Sequence, residues 1–176
     1  MGAEILGWEY SMPNIPSDAR RLRRLEQEMS GEKESGRQPR GLLALRAVAM
    51  PKDTNASGDI FGGWILSQMD IAGGMLAKEV ALGRTVTVSV DKMVFRVPLH
   101  VGDIIAIYAE LLQVGNSSMD IRLEVWAKPF PGNYVAQIHL VTEGTFRYVA
   151  IDKQGKPRRV PDNSKFFSRS SRSGVD

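Results

Sequence analysis

The sequence predicts an α+β domain in which an antiparallel sheet encloses one long buried helix. Three observations carry this expectation. Residues 60–82 form a nearly charge-free segment, too long for a strand, with Phe61, Ile65, Met69, Ala72, Leu76 and Val80 at helical spacing. After Gly83 the chain reads as strands joined by short connections, which implies antiparallel neighbours. A helix that is apolar on nearly every side must be covered, and a sheet curled around it supplies that cover.

The elements follow in chain order. Residues 1–40 read as a flexible extension punctuated by Pro13, Pro16, Gly36 and Pro39. Within it, Asp18 is placed to cap a short helix from Ala19 to about Met29. Mixed charge with little apolar content otherwise resists folding there. Residues 41–161 form the folded domain. Its first strand runs from Leu42 to Met50, bounded by Gly41 and Pro51. A polar loop from Lys52 to Gly58 leads to the helix, with Asp59 as the expected N-cap and Gly83 as the expected C-cap. Strands are then expected at 85–90, 103–113, 119–128 and 134–149. On the last one, Ile138, Leu140, Thr142, Gly144 and Phe146 share one face, and His139 falls on the polar face. Residues 162–176 read as a flexible basic tail.

Composition excludes several chemistries. The 176 residues contain no cysteine and only two histidines, His100 and His139. Disulfide scaffolds, thiolate nucleophiles and cysteine-held metals are ruled out, and little remains for a histidine metal site. No metal is expected. No apolar run reaches the ~20 residues that cross a bilayer, and no export signal is visible, so a cytoplasmic protein is expected. The net charge is +3, but residues 1–149 are close to neutral and the surplus lies after residue 150. That distribution argues against a nucleic-acid partner.

One position stands out chemically. Between Ile60 and Ala77 the single charged residue is Asp70. An ionised carboxylate without a partner is costly to bury, so Asp70 belongs at a water-accessible site or is retained for function. Gly73 and Gly74 lie three and four residues on, which implies that something approaches the helix closely there. An extended substrate passing a general base fits that pattern better than a packed strand. Gly62 and Gly63, in the first helical turn, offer uncovered backbone N–H groups suited to a developing oxyanion. A carboxylate with amide donors suits hydrolysis of an activated acyl group such as a thioester. No GxGxxG fingerprint, phosphate loop or nucleophilic triad competes with it.

The stretch from Met50 to Trp64, continuing through Ser67, Gln68, Met69 and Asp70, closely resembles bacterial acyl-CoA thioester hydrolases of the hotdog superfamily, the YciA-type branch. Val101-Gly102-Asp103, Glu124-Val125-Trp126 and Phe146 to Ala150 also match. The resemblance implies a hotdog fold of about five strands around one helix and an edge-to-edge homodimer, assembled as a hexamer of three dimers. It implies hydrolysis of acyl-CoA to acid and CoA, with Asp70 as general base for water or as nucleophile through a covalent anhydride, and no cofactor beyond that substrate. It maps the catalytic pair onto Asn55 and Asp70 of opposite subunits, and the oxyanion donor onto Gly62 or Gly63. Read on charge alone, Arg96, Lys92, Lys156, Arg158 and Arg159 are candidates to bind the CoA phosphates. Two other functions of the fold, an acyl-thioester dehydratase or hydratase and a non-catalytic acyl-CoA sensor, are disfavoured. Neither histidine is placed for the first, and the one short helix expected at Ala19 to Met29 cannot supply a helix-turn-helix for the second.

Overall fold

In the computed structural model, residues 37–128 and 138–162 are described. The expected helix at 19–29, most of the N-terminal extension, the turn at 129–133, the first residues of the last expected strand and the tail beyond 162 lie outside them. Strand β1 (Leu42–Val48) and a short 3-10 turn (Pro51–Asp53) precede helix α1 (Gly62–Ala81). Strands β2 (Thr85–Phe95), β3 (Ile104–Val114), β4 (Ser118–Lys128) and β5 (His139–Ala150) follow. They form one antiparallel sheet in the order β1-β3-β4-β5-β2, so β1 and β2 are its edges.

Helix α1 packs against every strand through the stripe the sequence predicts: Ile65, Met69, Ala72, Leu76 and Val80 are all buried. Opposite it lie Ile105 and Ile107 of β3, Ile121 and Leu123 of β4, and Phe146 and Tyr148 of β5. The expected five-stranded sheet packs on the helix, and within the single chain it covers one side of it. Leu66, Ile71 and Met75 remain exposed, Ile71 by 51%. One face of the helix is therefore covered, and the other is not.

The caps differ from expectation at both ends. Phe61, not Asp59, is the N-cap, and no side chain caps the helix there. Asp59 is exposed, and its backbone is tied back to Asn55. At the other end the left-handed residue is Leu82 (φ 48°, ψ 47°) rather than Gly83. The N–H groups of Leu82 and Gly83 donate to Glu79 and Lys78 and close the helix.

Bulges account for the other differences. Strand β2 extends past Val90 because an irregularity between Asp91 and Val94 places Lys92 at φ 53° and lets pairing with β5 resume. In β5, Val125 pairs with Thr142 and Trp126 with Leu140, which leaves Val141 as the extra residue. The alternation inverts across it. Val141 is buried and Ile138 is 43% exposed, against the expected facing. His139 is half-buried rather than a surface residue; desolvation pushes its imidazole pKa down, and the Asp103 carboxylate pulls it up.

Gly41 (φ +87°) lets β1 close on β3, since a Cβ there would stand 2.3 Å from the Ala109 carbonyl oxygen. Just before it, Arg37 donates to Glu124 at 2.9 Å and to Glu143 at 2.7 Å. Glu124 has no solvent exposure; it also accepts from Trp126 Nε1 and the Arg40 backbone N–H.

The left-handed Leu82 yields a stability prediction. Its side chain is 68% exposed, so Leu82→Gly forfeits little burial and relieves the steric cost of the left-handed conformation. That variant is expected to gain up to about 1 kcal/mol in chemical denaturation. Leu82→Val is expected to lose about as much, because a branched Cβ crowds that conformation further.

Candidate active site around Asp70

Asp70 sits on the open side of α1, exposed to water in the single chain. Its Oδ1 accepts hydrogen bonds from Thr87 Oγ1 on β2 (2.5 Å) and from the Tyr148 hydroxyl on β5 (3.2 Å). Among the described residues, Oδ2 has no partner and the carboxylate forms no ion pair. The same Tyr148 hydroxyl lies 3.2 Å from the Asp70 backbone carbonyl.

The glycine beside Asp70 finds its explanation here. A Cβ on Gly73 would stand 2.3 Å from the Tyr148 hydroxyl oxygen and 2.9 Å from Leu123 Cδ1. The expected substrate passage at Gly73 is corrected: packed side chains of the sheet occupy that space. A helix interior gives up about 1 kcal/mol for glycine over alanine, and the close contact with Tyr148 is what it gains. Gly74 is different, with Tyr148 Cε1 at 3.9 Å as its near neighbour.

Asn55 anchors the loop before the helix. Its Oδ1 accepts from the N–H groups of Ser57 (2.8 Å) and Asp59 (3.1 Å), while its own N–H donates to the Asp59 carbonyl. Those two backbone donors determine which end of the amide is oxygen. The Nδ2 end is left as an exposed donor with no protein partner among the described residues. Gly62 and Gly63 occupy the first two helical positions, where N–H groups have no intrahelical acceptor. A Cβ on Gly62 would press on the Phe95 ring at 3.0 Å, and one on Gly63 on the Phe61 ring at 2.8 Å. Helical rise separates Gly62 from Asp70 by about 12 Å along the axis.

The basic candidates divide. Arg158 donates from Nη2 to the Ala81 carbonyl at 2.7 Å and from Nε to the Ile151 carbonyl at 3.2 Å. Its guanidinium caps the helix C-terminus, where both the unpaired carbonyls and the helix dipole favour a cation. Arg96 donates to Glu143 at 2.9 Å. Glu143 lies between Arg37 and Arg96, and the Arg37 hydrogen bond holds its carboxyl below the usual range. Lys92, Lys156 and Arg159 are exposed. Among the described residues, no cluster of metal-ligating side chains is gathered.

The site contains two residues that sequence reasoning missed, Thr87 and Tyr148. Thr87 is one of several Thr and Ser residues alternating with valines on its strand, and nothing local distinguishes it. Tyr148 left one trace: Gly73 beside a lone carboxylate required a close neighbour.

The sequence profile of the thioesterase superfamily matches residues 57–129. The acyl-CoA thioester hydrolase YciA of Escherichia coli is 53% identical over 123 residues, spanning 70% of this chain and 93% of that protein. The chain belongs to the thioesterase superfamily. Two crystal structures from this superfamily agree. HI0827, a hexameric broad-specificity acyl-coenzyme A thioesterase, is similar with a TM-score of 0.72 and 47% identity, covering 78% of this chain and 94% of that one. A hexameric hotdog-fold thioesterase of Campylobacter jejuni is similar with a TM-score of 0.67 and 41% identity, covering 72% and 96%. The expected hotdog fold is thus borne out.

The Arg158 geometry generates a prediction that separates it from its neighbour. Arg158→Ala removes donors to partly buried carbonyls and is expected to cost about 1–2 kcal/mol in a urea titration. Arg159→Ala, at an exposed side chain, is expected to stay within about 0.5 kcal/mol.

Proposed function

We propose that this chain hydrolyses acyl-CoA thioesters to a carboxylic acid and CoA, with Asp70 as general base. The observation that carries the reading is a water-accessible carboxylate gripped on Oδ1 by Thr87 and Tyr148, with Oδ2 left for a water molecule. The water oxygen adds to the thioester carbonyl carbon as its proton passes to Asp70. The oxyanion then collapses, the C–S bond breaks, and the leaving CoA thiolate takes the proton back from Asp70, which regenerates the carboxylate. Backbone N–H groups at Gly62 or Gly63 stabilise the oxyanion, and Asn55 Nδ2 supplies a further donor. The reaction needs no cofactor beyond water and the thioester itself. As CoA thioesters are cytoplasmic metabolites, we place the enzyme in the cytoplasm.

The site draws on two subunits. The roughly 12 Å between Gly62 and Asp70 on one helix exceeds what a single thioester carbonyl and its attacking water can span. Oxyanion donors and base acting on one carbonyl therefore come from different chains, with Asn55 and the glycine pair of one subunit facing Asp70 of the other. Strand β2, an unpaired edge that carries Thr87, supplies the place for a partner. Its exposed Val86, Val88 and Val90, with Ile71 and Met75 of the helix, need the cover a two-fold partner would give. We read the assembly as a hexamer of three such dimers, the state named for HI0827 being hexameric. Lys92, Lys156 and Arg159 are the exposed cations for the CoA phosphates; Arg96 joins them if it releases Glu143, whereas Arg158 is committed to the helix end.

Asp70→Asn preserves volume and removes basicity, so kcat in a thiol-release assay is expected to fall at least ~100-fold while substrate still binds. Wild-type turnover in the folded variant would exclude Asp70 as the base. The shared site is tested by mixing. Inactive Asn55→Ala and Asp70→Asn proteins, after subunit exchange, are expected to recover part of the activity, because each mixed dimer holds one intact site. No recovery after verified exchange would place the whole site within one chain.

A further inference from the structure

We propose that Tyr148 is a positioning residue for Asp70, its hydroxyl holding the carboxylate through Oδ1 so that Oδ2 is presented to the attacking water. The inference rests on the reading of Asp70 as the base. It starts from three observations that converge on one atom. The Tyr148 side chain is buried, with the residue 1% exposed, yet its hydroxyl ends within 3.2 Å of both Asp70 Oδ1 and the Asp70 backbone carbonyl. Gly73 clears the space for that hydroxyl, since a Cβ there would come within 2.3 Å of it. The tyrosine ring in turn is held in the core, stacked on Phe146 with centroids 6.4 Å apart.

A carboxylate on an exposed helix face has free χ angles, and a base must be aimed before its basicity is useful. Thr87 reaches Oδ1 from β2 and Tyr148 reaches it from β5, so two strands grip one oxygen. Among the described residues, these are the side chains that hydrogen-bond the carboxylate, and neither carries charge. Burial raises the phenol pKa far above its ordinary value, and the Asp70 charge and hydrogen bond raise it further. The hydroxyl therefore stays a donor throughout the working pH range.

The test is Tyr148→Phe, which keeps the stacked ring and removes only the hydroxyl. Turnover of an acyl-CoA is expected to fall ~10-fold with KM within about twofold, the split expected when an interaction made only in the transition state is lost. A merely structural tyrosine would lower the denaturation midpoint without splitting kcat from KM in the folded enzyme. In an Asp70→Asn background, Tyr148→Phe is expected to have no further effect on turnover, because it acts through the carboxylate. Wild-type kcat in folded Tyr148→Phe, with Asp70→Asn inactive, would overturn the positioning role and leave the base assignment standing. An active Asp70→Asn would overturn the base assignment and this inference with it. Should Tyr148→Phe fail to fold, Gly73→Ala displaces the same hydroxyl with the ring retained. It must produce the same fall in kcat at nearly unchanged KM, and the absence of that fall would overturn the proposal.

Discussion

The contact between helix α1 and the inner face of the sheet is the constraint on which the rest depends. The helix has to bury Ile65, Met69, Ala72, Leu76 and Val80 against β3, β4 and β5, while keeping a carboxylate one residue beyond Met69 in reach of water. Those demands are met by rotation alone: successive helical residues lie 100° apart, so Met69 points inward and Asp70 does not. The stripe that makes the core thereby also aims the chemistry. Gly73 refines this arrangement, because it lets Tyr148 stand in the core and still touch Asp70 at the margin.

The other face of the sheet is organised by charge rather than by packing. Glu124 is fully buried there and accepts from Arg37, Trp126 and the Arg40 backbone. A buried carboxylate with one partner removed is far more costly than one never introduced, so these contacts matter mainly by their completeness. Arg37 reaches Glu124 and Glu143 from a segment that precedes β1, and thereby fastens the start of the domain across two neighbouring strands. Arg96 enters the same network through Glu143.

Two arginines illustrate how far a local reading of charge extends. Arg96 and Arg158 stand in basic or turn-rich contexts that read, on charge alone, as contacts for a phosphorylated ligand. Their partners lie 47 and 77 residues away in the chain: Glu143 for the first and the Ala81 carbonyl for the second. No spacing rule links residues at such separations. The same holds for the bulges in β2 and β5, since a two-residue period continues on paper through Lys92 or Val141 unless the partner strand's register is known.

What the sequence determined by itself was whatever depends on residues close together in the chain. The helix and its buried stripe follow from 3.6-residue periodicity, and the strands from short apolar segments between turns. Asp70 stands out as one charge in an apolar run; Asn55 reads by itself as a turn residue and is singled out only by the family resemblance of its loop. The tertiary structure alone decided what depends on long-range pairing: the strand order, the inverted facing around Val141, Leu82 rather than Gly83 as the left-handed residue, and the exposed half of the helix. It also brought Thr87 and Tyr148, partners across the neighbouring strands β2 and β5, to Asp70 from 17 and 78 residues along the chain. Periodicity reports which side of an element is apolar; only the packed sheet determines which polar atom on one strand meets which carboxylate on the helix.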